Sequence, residues 1–280
     1  MKILKSIYEN EVEVKEISVL KSLFIIIMFT LIPGIINFLS TFIMILIDEN
    51  ISMGSVMIID GIILIPVHMI IIIMVGKKYT QKDIIKINDK KVKINNKDFL
   101  YVFLIIIGYI LIREAILFDV LSQFEGPISE DDIDFFIDNA ETIEVVIFGF
   151  LMYFQTLITA PIFEELLFRG IILNGLLNKY KNSSKKAIIY SAMVFGLVHL
   201  NIPQGINALI GGIILGFIYC YTKSMKLSIF AHFINNLITF VPVPESLIFK
   251  FIYIMIGTYV IMKGIKYIRN TKLINISKAS

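Results

Sequence analysis

Apolar stretches recur along the chain at about 22–47, 54–76, 99–118, 143–162, 187–200, 206–222, 227–241 and 247–265, each bounded by polar residues. Since roughly 20 apolar residues cross a bilayer core as helix, the pattern predicts eight membrane-spanning helices. The connections alternate in charge. Lys2, Lys5, Lys15 and Lys21 precede the first stretch, and eight lysines lie between Lys77 and Lys97. Lys179, Lys181, Lys185 and Lys186 follow the fourth stretch, Lys223 and Lys226 the sixth, and Lys263, Lys266, Arg269, Lys272 and Lys278 the eighth. The other connections carry Asp48 and Glu49, the acidic run Glu125 to Glu141, Asn201 to Gly205, and Pro242 to Glu245. The positive-inside bias therefore places both termini in the cytoplasm, and an even span count agrees.

The expected fold class is an all-α integral membrane protein, with about eight transmembrane helices in one domain and some of them short or broken around a polar intramembrane cavity. Residues 1–142 would supply a cytoplasmic N-terminal segment and three helices, and 143–280 a catalytic-type core of five.

Composition narrows the class. With 57% hydrophobic and 18% charged residues and a mean hydropathy of +0.82, the chain is no ordinary soluble domain, where charged residues run near ~25%. The net charge of +3 comes from 26 basic and 23 acidic residues. The basic ones cluster beside apolar runs as topology signals, so nucleic acid is not an expected partner. The single Cys220 excludes an internal disulfide framework and a multi-cysteine zinc site. The first 21 residues mix four lysines with four glutamates and do not read as a signal peptide. Abundant Ile, Lys and Asn beside scarce Ala and Trp point to an AT-rich bacterial source, hence a plasma-membrane location. The acidic Ser129 to Asp134 stretch lacks the ligand spacing of a calcium loop and reads as a solvated outer loop.

Ionisable residues inside spans are costly, so each is a functional candidate. In Ala160-Pro-Ile-Phe-Glu-Glu-Leu-Leu-Phe-Arg-Gly170, Glu165 and Arg169 stand at i, i+4 and can pair, while Glu164 points about 100° away. One glutamate can be neutralised while the other faces a cavity. The alternative is an interfacial charged turn after Pro161, where the helix breaks. A second segment, Phe195-Gly-Leu-Val-His199, ends in an imidazole that alone would read as interfacial or packing. A third places His232 and Asn236 at i, i+4, with Asn235 beside them, either as chemistry or as helix glue. Asp60 and His68 have no nearby partner in sequence and read as packing residues or a counter-charge. Arg113 and Glu114 read as an interfacial pair.

Together these segments supply a carboxylate base, a second base or ligand, and hydrogen-bond donors from three helices. That inventory fits hydrolysis, which needs an activated water and donors for an oxyanion. Zinc bound by two histidines and a glutamate would serve equally, and the spacing does not choose. The histidine-bearing stretches are only ~14–15 residues long, against a ~30 Å core, which implies local thinning or a water-filled recess. Straight spans would nevertheless set His199 near the outer surface and His232 nearer the inner one.

The motifs Glu164-Glu165-Leu-Leu-Phe-Arg169, Phe195-Gly-Leu-Val-His199 and His232-Phe-Ile-Asn-Asn236, in this order, resemble those of the CPBP family, the CAAX-protease and bacteriocin-processing intramembrane proteases. The resemblance covers roughly 155–240. It implies an eight-helix membrane endopeptidase in which Glu164 and His199 activate water, His232 and Asn236 stabilise the oxyanion, and Glu165 with Arg169 holds the geometry. A metal-free glutamate mechanism is expected, with zinc on Glu164, His199 and His232 as the alternative. The expected partners are a membrane peptide or protein substrate and the lipid bilayer. For a bacterial source, a peptide precursor, pheromone or bacteriocin-type leader is the expected substrate class. Because related members serve in immunity or partner regulation, the alternative function is a non-catalytic bacteriocin self-immunity or scaffold protein using the same recess. The zinc His-Glu-x-x-His, aspartyl Gly-x-Gly-Asp and serine Gly-x-Ser-x-Gly motifs are absent.

Overall fold

A computed structural model describes residues 2–81, 94–124, 141–240 and 246–277, without the side chains of Ser122 and 272–277. The lysine-rich 82–93, the acidic 125–140 with its Ser129 to Asp134 stretch, and 241–245 lie outside the described residues, so part of the charge alternation and the outer-loop reading lie outside them too.

The described elements are helical: α1 (Lys2–Tyr8), α2 (Val19–Ile47), α3 (Met53–Tyr79), α4 (Asn96–Ile116), the short α5 (Phe118–Leu121), α6 (Thr142–Lys179), α7 (Ser184–Leu197), α8 (Ile202–Thr222), α9 (Met225–Ile238) and α10 (Leu247–Ser277). All eight apolar stretches form helix. Six of them, α2, α3, α4, α6, α8 and α10, are long and apolar enough to cross a membrane. The expected eight or so helices, some of them short, become six long ones with α7 and α9 as the short pair. Helices α7 and α9 have 14 residues each, about 21 Å of helix against a core of about 30 Å. Their brevity is local. Ser183 and Ser224 accept backbone N–H groups at their N-termini, and the neighbouring α8 starts at a capping Asn201 with Pro203 in its first turn and ends at Lys223 in the left-handed region.

Pro161 does not break the chain into a turn. Helix α6 runs through it, because the backbone widens to π-helical turns over Gln155–Thr159 and Leu166–Leu173 on either side. Proline has no N–H. The Ala160 N–H reaches back five residues to the Gln155 carbonyl, and in that register the Thr156 carbonyl faces position 161, which has no hydrogen to give. The reading of 160–170 as an interfacial turn is overturned, since every residue from Leu166 to Leu173 is buried.

The outer faces are apolar, with Phe38, Ile47, Phe150 and Phe251 all more than half exposed, as expected where lipid is the solvent. Beneath them are two buried clusters. One joins α1, α2, α3, α6 and α7; the other joins α4, α8, α9 and α10. Helix α9 lies on the seam, with Met225 in the first cluster and Leu227, Ala231 and Ile234 in the second. Helices α4 and α10 cross at Gly108 and Gly257, where a Cβ on Gly108 would sit 2.6 Å from the Gly257 carbonyl oxygen. Such small residues let transmembrane backbones approach closely.

Candidate active site

Glu165 sits on α6 with no exposed surface, and a carboxylate so placed persists only with charge and hydrogen-bond partners. It has three. Arg169, one turn along, places Nη1 3.0 Å from its Oε1. Ser228 on α9 donates its hydroxyl to Oε2. His232, one turn beyond Ser228, brings Nδ1 to 2.9 Å from Oε1. Arg169 is itself 1% exposed. Its Nη2 donates to the Gly212 carbonyl at 3.2 Å, and its guanidinium lies 4.9 Å from the Phe195 ring centroid, a favourable cation–π distance. Gly212 makes this possible: a Cβ there would lie 3.1 Å from Phe195 and 3.2 Å from Ala192.

A carboxylate paired to arginine only accepts hydrogen bonds, so His232 donates from Nδ1 and its Nε2 is left to face outward. It faces Glu164, with Nε2 3.8 Å from Oε2. Glu164 retains 21% side-chain exposure and borders a cavity of about 130 Å³ whose walls include Phe29, Leu64, His68, Thr159 and Phe163. The two adjacent glutamates therefore differ sharply. Glu165 is locked into an ion pair and orients an imidazole, while Glu164 is open on its cavity side.

His199 follows the last turn of α7. Its Nδ1 donates to the Phe195 carbonyl at 3.0 Å, and its ring stands edge-on to Phe195 at 5.2 Å. His232 stands edge-on to the same ring at 5.9 Å. One phenyl ring thus borders both imidazoles, which removes the difference in depth expected from straight spans. Glu164 is not among the contacts of His199, which joins the cluster through Phe195. Asn236 donates from Nδ2 to the Thr156 carbonyl at 2.9 Å, the acceptor that Pro161 leaves without a partner, and Asn235 donates to Asn236 Oδ1 at 3.2 Å.

Among the described residues, no group of three or more His, Cys, Asp or Glu side chains is placed to hold a metal ion. The candidate set Glu164, His199 and His232 does not close into a ligand sphere for zinc among the described residues.

Sequence reasoning missed Ser228, Phe195 as a ring and Gly212. Ser228 was legible as the residue one turn before His232 on the same face. The aromatic and backbone contacts had no signal in spacing. Asp60 accepts from Ser40 and from Thr41, the latter at 2.9 Å, so it ties α3 to α2 as a packing residue. His68, for which the sequence shows no nearby partner, shares the cavity with Glu164 of another helix.

Residues 146–238 match the family model described as Type II CAAX prenyl endopeptidase Rce1-like. The chain is also 34% identical over 95 residues to a Bacillus subtilis (strain 168) protein named "Putative membrane peptidase YdiL". That match spans 34% of this chain and 37% of the relative, so little more than a third of the relative's length is covered. No solved structure matches. The matched segment runs from α6 to α9 and holds all three motifs, which bears out the resemblance to the CPBP proteases there. Residues 146–238 are thus similar to a CAAX-type endopeptidase segment, in a chain whose described residues include six helices long and apolar enough to cross a membrane.

Proposed function

We propose that the protein is an intramembrane endopeptidase that hydrolyses a peptide bond of a membrane-associated peptide or protein, with Glu164 as the base that activates water. One observation carries the reading: Glu164 alone of the paired glutamates is open to a cavity, with an oriented imidazole 3.8 Å away. Glu164 takes a proton from water as the water oxygen bonds to the scissile carbonyl carbon and the carbonyl pair moves to oxygen. When the C–N bond breaks, the protonated Glu164 returns its proton to the leaving amine. Asn236 has given one amide hydrogen to Thr156 and keeps the other for the oxyanion, beside His232. Glu165, Arg169 and Ser228 hold His232 in place. The resemblance assigns His199 to the same water. Its Nδ1 is committed to the Phe195 carbonyl, so Nε2 is the nitrogen that would act.

The short α7 and α9 support a recess that water can enter, because helices of ~21 Å do not fill a ~30 Å core. The basic connections support cytoplasmic termini in a bacterial plasma membrane. Purified protein in detergent, with Glu164→Ala and His199→Ala assayed against a library of membrane peptides, tests the proposal. Cleavage by the wild type and its loss in both variants is expected. Turnover that survives both substitutions overturns it.

A further inference from the structure

Within the cavity beside Glu164, most of the wall is apolar, and the polar groups differ in what they still offer. Gln155 has committed its amide nitrogen to the Gly61 carbonyl at 2.8 Å. The Thr159 hydroxyl donates to the Gln155 carbonyl at 3.2 Å. His68, on α3, meets the cavity from the helix opposite Glu164. Its Nδ1 lies 2.9 Å from the Leu64 carbonyl. A carbonyl can only accept, so Nδ1 carries the hydrogen and the neutral ring presents the Nε2 lone pair. Phe29 packs on the imidazole with centroids 4.7 Å apart, which fixes its direction. Two basic acceptors, the Glu164 carboxylate and His68 Nε2, thus share one space large enough for water. His199 is tethered in the same way, to the carbonyl four residues before it, but is not part of this wall.

We infer that His68 is a further catalytic residue of the site, its Nε2 accepting a hydrogen bond from the water that Glu164 deprotonates; this rests on the hydrolytic reading above. With one hydrogen on Glu164 and the other on His68, one of the water's two lone pairs is directed at the substrate carbonyl. As the O–C bond forms, Glu164 takes one proton and the carbonyl pair moves to oxygen. His68 keeps its hydrogen bond to the resulting hydroxyl and takes no proton. Helix α3 lies outside the segment 146–238 that matches the family model, so the three motifs do not point to this residue.

The test compares wild type, His68→Leu, His68→Met, His68→Gln and Glu164→Gln on a cleavable membrane peptide in detergent, with a thermal midpoint measured for each. Leucine and methionine keep the apolar contact with Phe29 and remove the acceptor; glutamine restores an acceptor oxygen. The expected result is a kcat about 10²-fold lower in His68→Leu and His68→Met, with KM within about twofold of wild type. His68→Gln is expected to regain at least about tenfold of that loss. Wild-type kcat in the apolar variants, a loss confined to KM, or a loss that glutamine does not recover would overturn the role of His68 and leave the hydrolytic reading standing. Wild-type turnover in Glu164→Gln would overturn that reading itself.

Discussion

Replacing Arg169 by methionine removes the cation that neutralises Glu165 while keeping most of the volume. Both side chains are withdrawn from solvent, at 1% and 0% exposure, so neither water nor salt replaces the lost partner. Breaking a buried pair by removing one member costs about 3–5 kcal/mol, because a charge is left uncompensated. The lost stacking on Phe195 at 4.9 Å, worth about 2 kcal/mol when desolvated, and the lost bond to Gly212 push toward the upper end of that range. Glu165→Gln combined with Arg169→Met removes both charges; the glutamine oxygen, placed where Oε1 lies, still accepts from His232 Nδ1, and its amide nitrogen, in place of Oε2, donates to the Ser228 hydroxyl oxygen. The double variant should therefore lie within about 1–2 kcal/mol of wild type, since neutralising a whole buried pair is far cheaper than halving it. At roughly 2–4 °C per kcal/mol, Arg169→Met should melt on the order of 10 °C lower in detergent, and the double variant should regain most of the difference. A single variant within ~2 °C of wild type, or a double variant no better than the single, would refute the reasoning.

The Thr156 carbonyl gives a second double variant. Asn236→Leu leaves it unsatisfied and should cost about 1–3 kcal/mol; Pro161→Ala supplies a local N–H and should shrink that cost by at least half, read as a coupling between thermal midpoints. Additive midpoints would contradict the register described for α6. Gly257→Leu should separate α10 from α4, where a Cβ already meets the Gly108 carbonyl at 2.7 Å, with a loss of about 1–3 kcal/mol or more; an unchanged midpoint would show that the crossing is looser than described. Glu164→Gln should fold as wild type does, within about 0.5 kcal/mol, because its partner is 3.8 Å away and its side chain is 21% exposed.

Hydropathy sufficed for the helical membrane architecture, since a continuous apolar run has one stable solution in lipid. It also marked the two histidine-bearing stretches as too short for a ~30 Å core; the capping serines that set the N-termini of α7 and α9 are weak signals. Around Pro161 the sequence leaves two readings of α6 open. Pro161 alone suggests a break, and only the π-helical turns, together with the Asn236 side chain from α9, show how the helix continues. In the site, the i, i+4 spacing was enough to separate the paired Glu165 from the open Glu164. The ring of Phe195 between two imidazoles and the approach of His68 from α3 depend on tertiary packing of helices far apart in sequence, and no local pattern encodes them.

Mass spectrometry of peptide cleaved in ¹⁸O-water tests the central claim most directly. Wild-type protein is predicted to yield a fragment with one ¹⁸O in its new carboxylate, and an equally folded Glu164→Gln is predicted to yield at least about 10²-fold less. Labelled product from Glu164→Gln at the wild-type rate would contradict the account.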